Sequence, residues 1–265
     1  MSRRILIHAG FHKTGTTTLQ DTLFRNAATL LPHAEVYLQE GVLLTPLRRA
    51  VLGFSGNRCK ATKAEITARA IDFFSLLDLS DPRPVLISSE SLAGHFPGSS
   101  GVSKYGPAPI AIALIRDAWV TVTGSAAGFE VYYSTRRTGW LASCHWQRLK
   151  ANRCTLSLTE FEAKYPEAAD LDRILEDIRG RLGAEAVFTA AIEDIDHPVD
   201  PILALLGLSE LKPLLTLPRN ANTFPGGDAR DRLLALNRSN TWGAAYQKAR
   251  EAIVNPTTTE TPDQL

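Results

Sequence analysis

The stretch Ile5–Gln20, ILIHAGFHKTGTTTLQ, constrains the fold of this 265-residue chain more than any other. The apolar run Ile5–Ala9 meets Gly10. Lys13, Thr14, Gly15, Thr16, Thr17 and Thr18 follow, and an amphipathic pattern runs from Thr16 to Leu31. A strand, a glycine-bounded loop and a helix in this order aim successive backbone N–H groups at one spot, and the helix start adds the positive end of its dipole. Such a turn holds an anion. Gly15 admits a positive φ or a close backbone approach, and the threonines supply hydroxyls and caps. A plain glycine-rich turn would explain the glycines but not their coincidence with a lysine, a threonine run and a helix.

Three further apolar runs, Val85–Ser89, Ile110–Ile115 and Ala186–Ala191, lack strict alternation. That pattern predicts strands covered on both faces, hence a parallel sheet. Helical patterns lie between and after them at Lys63–Leu77, Trp119–Phe129 with an extension toward Lys150, Leu171–Leu182, Asp200–Leu206 and Ala229–Ile253. The alternation predicts an α/β fold, a three-layer parallel sheet flanked by helices. No internal repeat or clear linker breaks the pattern, so residues 1–254 read as one domain. Asn152–Glu167 is a weak candidate for an inserted flap. The low-complexity tail 255–265 is expected to be disordered.

Lysine and arginine number 29 against 28 acidic residues, a formal charge of +1. This balance excludes a simple electrostatic nucleic-acid binder. Cys59, Cys144 and Cys154 show no CxxC spacing. Their sparse, odd count predicts reduced thiols, a cytoplasmic chain and no structural metal site. No apolar run approaches the ~18 residues of a membrane span, and Ile5–Ala9 is too short for a signal segment.

Against the nucleotide-binding pattern GxxxxGK[ST], Gly10, Gly15 and Thr17 fit, but Thr16 stands where the lysine belongs. The loop's only lysine, Lys13, comes three residues earlier. The loop therefore grips an anion while departing from the form that reaches β- and γ-phosphates. In open α/β sheets ligands sit at the carboxyl ends of strands, which places Ser88, Ser89, Glu90 and Ser91 where chemistry belongs. Glu90 is a candidate general base, provided its pKa suits the removal of a hydroxyl proton.

HAGFHKTGTTTLQ resembles the 5′-phosphosulfate loop of sulfotransferases that use 3′-phosphoadenosine 5′-phosphosulfate (PAPS), in particular bacterial members reading HxGxxKTGTT. The resemblance implies a P-loop NTPase-like sulfotransferase fold. It also implies transfer of a sulfuryl group to a hydroxyl or amine of a small-molecule or carbohydrate acceptor, without a metal. Lys13 would bind the bridging and leaving phosphate oxygens. His12, Thr14, Gly15, Thr16, Thr17 and Thr18 would complete the donor loop, with Glu90 as base and Glu35 as its rival; His95 and His12 rank below both. IAIALIRDAWVTVTGSAAG, from Ile110, resembles the family's 3′-phosphate segment, a strand ending in arginine followed by a helix bearing a hydroxyl. It assigns Arg116 and either Thr123 or Ser125 to that phosphate. AVFTAAIEDIDHPVDPILALLGL, from Ala186, resembles a scaffold strand with an acidic pair, and Arg219 falls in a loop that resembles the donor-closing one. Aromatics and bases interleave from Glu130 to Arg153, among them Tyr132, Tyr133, Arg136, Arg137 and Trp140. That stretch would form either an acceptor cleft or a solvated helix face. Two other readings stay open: a kinase using ATP and magnesium, and a non-catalytic nucleotide-binding protein of the same fold.

Overall fold

β1 (Ile5–Gly10) is buried at every position, as a central strand of apolar side chains must be. The structure, a computed structural model, describes residues 3–99, 101–218, 224 and 226–255. After β1 come α1 (Thr16–Arg25), α2 (Ala27–Leu30), β2 (Glu35–Leu38), α3 (Thr45–Gly56), α4 (Lys60–Phe74) and β3 (Val85–Ser88). The chain continues through α5 (Ala108–Thr123), β4 (Phe129–Thr135), α6 (Trp140–Asn152), α7 (Leu158–Lys164), α8 (Leu171–Leu182) and β5 (Val187–Ala191). It ends in α9 (Asp200–Leu206), α10 (Ala229–Arg238) and α11 (Gly243–Val254).

The strands form one five-stranded sheet in the order β2-β3-β1-β4-β5, and every pairing is parallel. Leu6, Leu86 and Tyr132 face one layer, where they pack with Leu19 and Leu23 of α1 and Ile202 and Leu203 of α9. On the other side Tyr37 of β2 meets Phe73 of α4 edge-on, and Phe74 meets Trp119 of α5 in the same way. The sheet is thus flanked by helices.

The chain divides into two compact units. The described residues of Met1–Trp140 and Glu167–Ala221 form the first, and those of Leu141–Pro166 and Asn222–Leu265 form the second. The first holds the sheet. The second has its own core, in which Trp146 and Leu149 of α6 pack with Leu233 of α10 and Ile253 of α11. Most of the Asn152–Glu167 stretch, including α7, belongs to this second unit. Residues 256–265 of the tail lie outside the described residues, as does Arg219.

Two element assignments need correction. Ile110–Ile115 is not a strand but the middle of α5, which starts behind Pro107 and stops at Gly124, a left-handed cap with φ 76°. α5 packs on both α4 and α8, so it is buried on more than one side and shows no clear amphipathic stripe. A short apolar run then reads the same for helix and strand. The helical reading from Trp119 toward Lys150 fails for the complementary reason. Phe129–Thr135, rich in aromatic and β-branched residues, is β4.

Between α1 and α2 the buried Asn26 side chain turns the chain. Its Nδ2 donates to the carbonyls of Thr22 (2.7 Å) and Thr216 (2.9 Å), and its Oδ1 accepts from the Thr216 N–H (2.8 Å). Asn26→Ala leaves the Thr216 groups without these partners, so we expect a loss of about 2 kcal/mol, the scale for buried groups left unsatisfied. Urea denaturation would measure it, and an unchanged midpoint would refute the bracing role.

Candidate functional site

The loop after β1 leaves the carboxyl edge of the sheet between β3 and β4. Those strands mark a switch point, because the chain passes from β3 on one side of β1 to β4 on the other. Gly10 has φ 88°, and a Cβ there would stand 2.8 Å from Glu90 Cβ and 3.1 Å from Glu90 Cα. Only glycine lets the two chain segments approach this closely. Phe11 N–H donates to the Ser134 carbonyl at 3.0 Å, tying the loop to β4. Gly15, at φ 90°, opens α1 without a side-chain cap, so the helix's first-turn N–H groups point out of the helix start as anion donors. A Cβ on Gly15 would meet Pro198 Cγ at 3.0 Å.

Lys13 itself has φ 65°, the left-handed region that non-glycine residues occupy at a cost of about 1–2 kcal/mol. It is half-buried at the centre of the loop. His12 is clamped from both sides. Its carbonyl accepts from Trp140 Nε1 at 2.9 Å, and its backbone N–H donates to the Tyr105 hydroxyl at 3.2 Å. The Tyr105 hydroxyl lies 2.8 Å from His12 Nδ1. The Thr14 hydroxyl is spent inside the loop, donating to the Phe11 carbonyl while Ser134 Oγ sits 2.6 Å away. The Thr14 hydroxyl is therefore engaged by protein groups and not offered to a ligand, which differs from the expectation for that group. Thr16 and Thr18 are buried in the first turn of α1, and Thr17 is exposed.

Glu90 opens a short 3₁₀ turn, Glu90–Ala93, directly after β3. Gln20 Nε2 donates to its Oε2 at 2.8 Å, and Gln39 Nε2 reaches its Oε1 at 3.4 Å. Gln39 Oε1 in turn accepts from the hydroxyls of Ser89 and Ser91, each at 3.1 Å. Burial alone would raise the Glu90 pKa. The field of His12, its own backbone N–H, Gln20 and His8 outweigh that and hold the carboxyl below the usual range. Burial dominates for the two histidines and pushes each down to about 4, although Glu90 pulls the other way. Lys13 and His95 add to the lowering at His12. At neutral pH both imidazoles are uncharged, and Glu90 stands as a carboxylate beside the loop.

The other assigned residues lie elsewhere. Glu35 starts β2 in register with Val85, at the amino edge of the sheet, on the order of 15 Å along the strands from Glu90. Its carboxylate pairs with the fully buried guanidinium of Arg3 at 2.5 Å and accepts from the Tyr37 hydroxyl at 2.6 Å. Glu35 is a brace. Arg116 lies midway along α5, not at a strand end. It donates to the Arg181 carbonyl at 2.8 Å near the end of α8 and pairs with Asp117 at 2.7 Å. Thr123 and Ser125 precede Gly128, whose carbonyl accepts from Ile5 N–H at the start of β1. That is the amino edge, opposite the Lys13 loop. The structure does not bring Arg116, Thr123 or Ser125 to the donor loop, because the strand on which the assignment relied is a helix running back from the carboxyl edge.

β4 supplies what α5 does not. It ends at Thr135 at the carboxyl edge, one strand from the loop, and Arg136 and Arg137 follow at once. Arg137 pairs with both oxygens of Asp194, and Glu193 accepts from the N–H groups of Arg137 (3.1 Å) and Thr138 (3.2 Å). The acidic pair after β5 thus fixes the turn that carries Arg136. Tyr132 and Tyr133 are buried within the sheet. Sequence reasoning gave no role to Gln20, Gln39 or Tyr105. The only signal for the glutamines was their placement just after a strand or on the first helix.

No protein-family model matches this chain, and no curated protein matches its sequence. What it does must be argued from the site.

The histidine shifts set a pH dependence. In the unfolded chain His8 and His12 protonate near 6.5, and in the folded chain near about 4. Between these values the unfolded state binds more protons, so stability rises with pH. The contribution is complete above the unfolded value and is lost as pH falls toward the folded one. Denaturation midpoints should therefore drop between about pH 7 and about pH 4, with a shallower slope in His8→Asn. A flat profile would show that the imidazoles are not buried neutral.

Proposed function

We propose that this chain transfers a sulfuryl group from PAPS to an acceptor hydroxyl or amine. The observation that carries the reading is the loop itself. A left-handed lysine and two close-packed glycines precede an uncapped helix at a sheet switch point, with an ionised carboxylate against the first glycine. The loop's fit to a phosphosulfate rests on its backbone donors at the uncapped start of α1, which the positive φ and close packing of Gly10 and Gly15 hold in place. Thr16 is the buried first residue of α1 and has no amine to offer a β- or γ-phosphate, which favours this donor over ATP.

In this reading the first-turn amides of α1 and the backbone around Thr14 hold the 5′-phosphate. Lys13 neutralises charge on the oxygen that leaves sulfur, an interaction that strengthens toward the transition state. The acceptor oxygen or nitrogen forms its bond to sulfur as the sulfur–oxygen bond to the phosphate breaks, and the acceptor proton passes to Glu90. Gln20 and Gln39 hold that carboxylate in place; its lowered pKa keeps it ionised at neutral pH and makes it a weak base, so it takes the proton only as the acceptor's bond to sulfur forms. Positioning and electrostatics do the work, as in phosphoryl transfer.

The 3′-phosphate role passes from Arg116 to Arg136. β4 with Arg136 directly after it repeats the pattern of a strand ending in arginine at the carboxyl edge, one strand from the loop. The acceptor is a small molecule or carbohydrate; PAPS is a co-substrate, and no metal enters the scheme.

The test is a thermal-shift comparison of 3′-phosphoadenosine 5′-phosphate, ADP and ATP with magnesium. A ligand that binds only the native state raises the melting temperature by mass action. We expect the bisphosphate to give the largest shift. Arg136→Gln should remove its advantage over ADP, and Arg116→Gln should keep it. Equal shifts for the bisphosphate and ADP would sink the reading, and a preference for ATP with magnesium would favour the kinase.

Lys13→Gly separates the loop's strain from its chemistry. Glycine adopts φ 65° freely, which offsets its greater freedom in the unfolded chain. We expect stability no lower than that of the native sequence and turnover reduced by about 10²-fold or more, the scale of a lost charge-stabilising donor. Turnover that survives would remove Lys13 from the mechanism.

A further inference from the structure

A second cationic site lies wholly within the second unit. α6, the residues just after it and α11 enclose a cavity of ≈ 480 Å³ lined by Lys150, Arg153, Trp242, Tyr246, Gln247 and Arg250, with Ala151 and Gly243. Its size falls within the roughly 300–1,000 Å³ of small-molecule sites. Three of these residues are bases, and among the described residues no acid lines the cavity.

The bases differ in what holds them. Arg153 has φ 49°, and its guanidinium carbon lies 3.9 Å from the Trp242 ring centroid and 4.2 Å from that of Tyr246. It also donates to the carbonyls of Thr241, Asn237 and Ser239. Its charge is fixed in place before any ligand arrives, so binding orders nothing further there. Arg250 Nε donates to the Lys150 carbonyl at 2.8 Å, which sets the two half-buried cationic side chains on one side of the cavity. The Lys150 ammonium lies 5.7 Å from the Trp146 ring centroid. Burial first, and then the Arg250 charge, push its pKa down, the mark of like charges sharing a site. Trp242 stays 70% exposed although it stacks on Arg153. α11 begins behind it with no side-chain cap, so its first amides add to the positive field.

We propose that this cavity binds a sulfate- or phosphate-bearing ring compound, its oxyanion held by Lys150 and Arg250 and its ring lying against Trp242. An oxyanion supplies the charge that these cations lack, and a flat apolar ring face suits the exposed indole. Esterified sugars and nucleotides share this chemistry. The site uses no residue of the Lys13 loop, so it stands apart from the transferase reading.

The full chain is titrated by calorimetry and tryptophan fluorescence with a glucose sulfate ester, a glucose phosphate ester, AMP and unmodified glucose. We expect the anions to bind and glucose not to. The stronger of the sugar esters and AMP identifies the source of the ligand. Lys150→Gln and Arg250→Gln should each weaken binding about tenfold, the scale of one charge-assisted hydrogen bond. Trp242→Leu should abolish the fluorescence response, and Lys13→Ala should leave binding intact. Circular dichroism checks that each variant folds. If Arg250→Gln does not fold, Lys150→Gln, whose backbone bond to Arg250 survives, decides alone. Equal binding of glucose and its esters would overturn the proposal, as would no binding at millimolar ligand. So would anion binding lost in Lys13→Ala but kept in Lys150→Gln and Arg250→Gln.

Discussion

The contact between Gly10 and Glu90 governs the arrangement of the carboxyl edge. β1 is the central strand, and where it ends its backbone lies so close to the start of the Glu90–Ala93 turn that a Cβ would fall 2.8 Å from Glu90 Cβ. That approach fixes the direction in which the loop departs and places a carboxylate beside it. The rest of the loop is then braced rather than free. Phe11 is tied to β4, His12 is held by Tyr105 and Trp140, and the Thr14 hydroxyl closes the turn on itself. With these side chains committed, the loop backbone is held in place. In the proposed transfer, backbone donors held this firmly need no reorganisation when charge develops.

Beside Glu90, burial removes the charge of the two nearest histidines. Two histidines lie close enough to Glu90 to feel its field, and either would gain a proton in water at mildly acid pH. Their surroundings cost the imidazolium form more than the carboxylate returns, so both stay neutral. The consequence is a separation of roles. Glu90 keeps its negative charge beside two neutral imidazoles, and Gln20 and Gln39 orient it with neutral donors. Glu35, by contrast, is paired with Arg3 at the opposite edge and braces the start of β2.

The sequence was legible where one face of an element or one turn decides its form. β1, β3, β5, α8 and α9 fall within a residue or so of their predicted bounds, because their apolar runs are bracketed by glycine, proline or caps. α5 was not legible. A helix packed on two other helices beside a sheet carries apolar residues around most of its surface, and IAIALI then reads equally as a buried strand. β4 was concealed by the same error, since a strand placed at Ile110 leaves the following residues to be its helix. The separation of Arg116, Thr123 and Ser125 from the Lys13 loop follows from that one exchange. A single element assigned to the wrong class carried Arg116 to the wrong edge of the sheet, although the loop at Lys13 was placed correctly from its own residues.

Arginine in this fold is informative only through what surrounds it. Arg116 ends on the Arg181 carbonyl near the end of a helix, where orphan carbonyls need donors, and Arg3 is consumed by carboxylates and carbonyls under the sheet. Both have their hydrogen bonds met by the protein, so a phosphate arriving there would have to displace existing partners. Arg250 presents the opposite case. Its Nε is anchored to a backbone carbonyl, its nearest charged neighbour on the cavity wall is another cation, and no acid lines the space beside it. A cation in water without a partner signifies nothing, but two half-buried cations side by side on a cavity wall raise the energy of the empty site. An anion that enters lowers that energy before any contact with the ring is made. For this reason the distribution of counter-charge, more than the count of basic residues, separates the arginines that brace this protein from those that can bind.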